Sequence, residues 1–186
     1  SRTYLPPDER QVRAAQVERP EDVPAGELFD WPGRINVFRY GLTEFSSLFT
    51  NRQLTALTTF SDLIPEVHER IVEDGRAAGL PEGSRLESGG TDAAAYADAV
   101  VTYLGFALSR MVNKSSTLAG WDSSTKVEGV RSVFARQALP MVWDFGDANI
   151  FGGAAGDYRE DLAWVSKVID LLPARGMGVA VQADAA

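Results

Sequence analysis

The chain has 186 residues, with 26 acidic against 18 basic side chains, one histidine and no cysteine, and is long enough to bury one core. Without cysteine there is no disulfide, thiolate nucleophile or cysteine-ligated metal centre, and with one histidine there is no multi-histidine metal site, while a Ser-His-Asp triad would have to use His68. A net charge of -8 argues against a surface that grips nucleic acid all over.

Residues 1–40 read as an extended, proline-rich arm with a short strand. Pro6, Pro7, Pro20, Pro24 and Pro32 interrupt the arm too often for a long helix. Phe29 and Trp31 are its expected anchors, and Ile35 to Tyr40 alternates as a strand that Gly41 ends. The expected helical domain spans residues 41–175. Thr50 to Gln53 has the form of a capping box. Leu54, Leu57, Ser61, Ile64, Val67 and Ile71 then follow at helical spacing, with Pro65 a kink point. Residues 76–90 read as an exposed loop. Thr91 caps a second helix, whose Tyr96, Val100, Tyr103, Ala107 and Met111 mark it as central to the core.

A polar loop surrounds Trp121, and a shorter helix is expected from Lys126 to Gln137, with Val127, Val130, Val133 and Phe134 inward and Pro140 as its stop. Met141 to Phe145 reads as a short strand or an irregular apolar segment. A glycine-rich connector follows at 146–156, without the Lys-Ser/Thr of a phosphate loop. The last helix runs from Tyr158 to Leu172, with Leu162, Val165, Val168, Ile169 and Leu172 inward. Residues 176–186 hold a terminal strand, which needs a neighbouring strand. The fold class is thus mainly α, with a few short strands, and the terminal strand suggests an excised part of a larger α/β protein.

No apolar run approaches the roughly 18 residues needed to span a bilayer, and Ser1 to Pro20 is charged, unlike a secretion signal. The expectation is a cytoplasmic protein with no membrane contact. Asp144-Phe145-Gly146 imitates a kinase tripeptide but lacks its partners. His68 has no partner at helical spacing and reads as structural. Ser109 to Arg136 holds Arg110, Lys114, Lys126, Arg131 and Arg136 against Asp122 and Glu128, a local +3 in a chain of -8. With Trp121 for base stacking, these five cations are the candidate nucleic-acid-binding residues. The competing role for them is pairing with the acidic remainder.

Four stretches carry a family resemblance: residues 48–60 (LFTNRQLTALTTF), 97–104 (ADAVVTYL), 134–145 (FARQALPMVWDF) and 178–186 (GVAVQADAA). In these the chain resembles large adenine-specific DNA methylases of bacteria and archaea, which are linked with phage defence and begin with a domain of unknown function. The resemblance covers most of residues 40–186. It implies a fragment of an S-adenosylmethionine-dependent DNA adenine (N6) methyltransferase, with DNA and the remaining domains of the parent chain as partners. The family's glycine-rich cofactor loop and its Asn/Asp-Pro-Pro-Tyr tetrapeptide are both missing from this sequence. The chain would therefore be an accessory or DNA-contacting segment, inactive alone, lying between the two motifs. Its residues 179–181 would join the methylase sheet. Asp184 would resemble the acidic residue beside the cofactor adenine, or be a solvated aspartate. In the parent enzyme a flipped adenine would attack the sulfonium methyl through its exocyclic amine. The alternative is a non-catalytic helical protein-interaction module.

Overall fold

The structure, a computed structural model, describes residues 5–173. Of these, 47% are helical. Helices α1 (Glu9–Ala15), α2 (Asn51–Ala77), α3 (Ala93–Val112) and α4 (Tyr158–Leu171) are joined by short 3-10 turns and one small antiparallel hairpin, β1 (Trp121–Asp122) with β2 (Gly129–Val130). The mainly α architecture expected above is the one observed. α3 lies in the middle and packs against both α2 and α4. Among the described residues, no helix is long and apolar enough to cross a membrane.

Local chemistry sets α2. Thr50 accepts from the Gln53 N–H at 3.2 Å, and the Gln53 side chain accepts from the Thr50 N–H at 2.9 Å. Two of the N–H groups that a helix start leaves unpaired are thus satisfied. Leu54 and Leu57 are buried on its inner face, while Ser61 is exposed. The helix runs through Pro65 without a break in its assignment. The start of α3 is made of alanines, and Ala93, Ala94, Ala95 and Ala97 are all buried. Small side chains let backbones approach: a Cβ on Gly75 of α2 would come within 3.0 Å of the Ala93 Cβ. The N-cap of α3 is Asp92 rather than Thr91, and its side chain makes no capping bond. The preceding loop supplies acceptors instead, with Pro81 and Glu82 carbonyls receiving the Ala93 and Ala94 N–H groups at 3.1 and 2.9 Å. Tyr96, expected inward, is exposed, whereas Ala107 and Met111 are fully buried.

The N-terminal arm departs most from expectation. Asp8 accepts from the Arg10 N–H at 2.7 Å and caps the seven-residue α1. Phe29 and Trp31 are exposed and are not buried anchors; the buried residue between the prolines is Leu28. Leu28, Val37, Leu48 and Leu118 form a small core, against which Ile35, Leu139, Met141 and Val142 pack. Residues 36–40 are a 3-10 turn, not a strand, and Gly41 closes it in the left-handed conformation at φ 85°. That conformation suits glycine because it has no Cβ. Of residues 35–40, Ile35 makes a strand-like bridge, parallel to Leu139; elsewhere in the arm Glu27 bridges antiparallel to Glu44. Residues 141–145 are irregular, one of the two forms expected.

Asp157 is the N-cap of α4. It is buried and accepts from the N–H groups of Arg159 at 2.7 Å, Glu160 at 3.3 Å and Gly153 at 2.8 Å. The Gly153 N–H lowers its pKa most; burial works in the opposite direction. The glycine-rich loop therefore spends a donor on the helix's own cap, and not on an outside anion. Replacing Asp157 with Ala should cost about 1.5 kcal/mol of stability, read as a lower urea midpoint with an unchanged slope. A midpoint equal to wild type would contradict this role. Val165 is buried as expected, but Val168 and Leu172 are exposed. The expected strand at 176–181 lies outside the described residues.

Candidate nucleic-acid interface

The six candidate residues divide into two groups. Arg110, in the last turn of α3, and Lys114, just past the helix end, both face Asp161 of α4. The Arg110 Nε and Lys114 Nζ atoms lie 3.4 and 3.5 Å from Asp161 Oδ1. Asp161 is only 1% exposed. It occupies the inner register of α4, four residues before Val165. Among the described residues its Oδ2 has no hydrogen-bond partner, so attraction to the two cations is what offsets the cost of burying the charge. The Arg110 guanidinium also sits 6.0 Å from the Trp164 ring centre. These two cations therefore serve the α3–α4 contact.

The other four residues lie on or after the hairpin. No helix forms over 126–137, contrary to expectation. Val127, Val130 and Val133 are β-branched, Gly129 is a weak helix former, and Glu128 turns the chain at φ 39°. Asp122 accepts from the Ser124 N–H at 2.9 Å and tightens the turn. Its carboxyl is held below the usual range by Ser124 first and by Arg131 after it. Arg131 reaches Asp122 at 3.0 Å, so it too is paired. The 3.6-residue rhythm of the valines was coincidental: β1 and β2 pair Trp121 with Val130 and Asp122 with Gly129. Lys126 sits exposed in the hairpin turn, Trp121 is exposed on β1, and Arg136 is exposed on the loop beyond. Among the described residues, Lys126 and Arg136 have no ion pair. Asp184 lies outside the described residues.

The strongest polar cluster was not expected. His68 of α2 has a partner after all, with its Nε2 3.0 Å from Asp98 Oδ1 on α3. Arg85 donates through Nε to Asp98 Oδ2 at 2.8 Å, and the Leu86 N–H donates to the same oxygen at 2.8 Å. Burial pushes the Asp98 pKa up, but Arg85, the Leu86 N–H and His68 together hold it below the ordinary range. The signal for this cluster was an acid among the alanines of α3, because a buried carboxylate requires partners.

A cleft of about 640 Å³ opens between α1, the start of α2 and residues 147–150. Its wall carries an Arg52–Asp147 ion pair, braced by Gln53, whose Nε2 donates to Asp147 at 3.3 Å. No group of three or more acidic or histidine side chains among the described residues could hold a metal ion. Compared with protein-family models, curated proteins and solved structures, the chain shows no match.

Proposed function

We propose that this chain is a helical accessory segment of an S-adenosylmethionine-dependent DNA adenine (N6) methyltransferase, and that it contacts DNA through the hairpin turn and the loop after it. The supporting observation is that three stretches behind the family resemblance fall into adjoining packed parts of the fold. Residues 48–60 open α2, residues 97–104 lie in α3 against it, and Leu139, Met141 and Val142 of 134–145 pack on the core that contains Leu48. Of the five candidate cations, Lys126 and Arg136 are the two without an ion pair among the described residues, and they would meet phosphate. Asp184, the residue the resemblance puts beside the cofactor, lies outside the described residues, and no step of methyl transfer is assigned to the others.

Binding to duplex DNA should appear at low salt and weaken as salt rises. Lys126→Glu should weaken it across all sequences and reduce the log–log salt slope by about one. Lys114→Glu is unsuitable for this purpose, because it would set a second carboxylate against Asp161 and disturb the fold. If the chain fails to bind duplex at low salt, the DNA-contact role is lost.

One observation favours the second reading, a protein-interaction module. Phe106, Trp164, Val168 and Leu172 form an exposed apolar cleft of about 230 Å³ between α3 and α4.

A further inference from the structure

A second surface gathers side chains suited to nucleic-acid bases. Residues 34–40 run beside residues 139–143, tied by the parallel Ile35–Leu139 bridge and closed by the Tyr40–Trp143 ring contact. The Asn36 N–H donates to the Leu139 carbonyl at 3.0 Å, and the Leu139 N–H donates to the Arg34 carbonyl at 2.8 Å. Along this ledge the aliphatic side chains turn inward: Ile35, Val37, Leu139 and Val142 belong to the small core. Phe38 joins them against that core, while four other rings in and beside the ledge turn outward. Phe29 and Trp143 are 75% and 76% exposed, and Trp31 and Tyr40 are more than half exposed. They stand in two edge-on pairs, Phe29–Trp31 at 6.4 Å and Tyr40–Trp143 at 5.1 Å between ring centres. Such pairing steadies one ring against the other and leaves ring faces open.

The charge along the ledge also differs from that of the whole chain. Arg34, Arg39 and Arg136 accompany the rings and have no ion pair among the described residues. The acids that flank these stretches are Asp30 and, just past Trp143, Asp144. The ledge is thus locally positive in a chain of -8. We propose that it takes unpaired nucleotides of a DNA strand, with bases stacked on Trp31 and on the Tyr40–Trp143 pair and phosphates met by the three arginines. Unpaired bases suit it because stacking on a protein ring needs a base face that duplex neighbours would otherwise cover. The inference rests on the DNA reading above and adds the strand form that the segment holds.

The test compares an oligodeoxythymidine of about twelve nucleotides with a duplex, by fluorescence anisotropy on the full chain at low salt. Trp31→Ala with Trp143→Ala should weaken single-strand binding at least about tenfold, from the loss of base stacking, and change duplex affinity less than about twofold. Replacing both tryptophans with Phe should retain most single-strand affinity, while replacing both with Leu should not. If single-strand affinity is unchanged by the Ala pair while duplex still binds, the ledge is overturned and the DNA reading stands. Binding of neither form overturns both. Rescue by Leu as complete as rescue by Phe would mark the ledge as a protein-docking surface and also overturn it.

Discussion

Replacing Asp161 with Ala should lower the unfolding free energy by about 3 kcal/mol, a fall in Tm of about 6–12 °C for a chain of this size. The carboxylate is fully buried, and two cations, Arg110 of α3 and Lys114 just past its end, converge on one of its oxygens. Its removal leaves those cations without a counter-charge beside an apolar seam. The two do not suffer equally. Arg110 is 47% exposed and can turn to water, while Lys114 is only 19% exposed and keeps much of the penalty. That difference puts the expected loss at the low end of the range for broken buried pairs. Adding Lys114→Met to Asp161→Leu should recover most of the stability, because an apolar pair of similar volume needs no compensation. Urea unfolding of the single and double variants gives the coupling directly. A loss below about 1 kcal/mol for Asp161→Ala would mean that the α3–α4 contact does not depend on this charge.

The same carboxylate shows where the sequence could be read and where it could not. Signals confined to one turn were legible: Thr50 and Gln53 sit three apart and complete their own capping box. The apolar rhythm of α3 correctly placed it between its neighbours. Signals that require two segments to meet were not legible. Arg110 and Lys114 share a helix face in the sequence, and that spacing serves a phosphate or a carboxylate equally well. Only the docking of α4 decides for Asp161. Asp161 itself lay on the inward register with Val165, and an acid on an apolar stripe was the clue that it had a partner. The valines at 127, 130 and 133 had helical spacing, but a glycine and a tight Asp122–Ser124 turn put Val127 and Val130 in a hairpin and Val133 beyond it. Phe29 and Trp31 have the size expected of anchors, yet both are more than half exposed. The smaller Leu28 fills the core in their place.

Asp98 should be the second large determinant of stability. Its replacement by Ala should cost about 2–3 kcal/mol at neutral pH, because the Leu86 N–H and His68 lose their acceptor in a part-buried setting. Arg85 contributes less to the loss, since its side chain is mostly exposed. The cluster joins three pieces of chain: His68 on α2, Asp98 on α3, and the Arg85–Leu86 corner of the loop whose carbonyls cap α3. Losing it should loosen that loop first, seen as faster amide exchange over residues 81–90. The pH dependence has a definite sign. The folded Asp98 pKa lies below its ordinary value, so the unfolded chain takes up this proton first as pH falls. The stabilisation is complete above the unfolded value of about 4 and is lost as pH falls through the folded value. The stability gap between wild type and Asp98→Asn should therefore be flat from about pH 7 to 5 and shrink below about pH 4. Urea titrations of the two proteins across that range decide the point, and a gap that widens toward acid would show that burial, rather than Arg85 and its companions, governs this carboxylate.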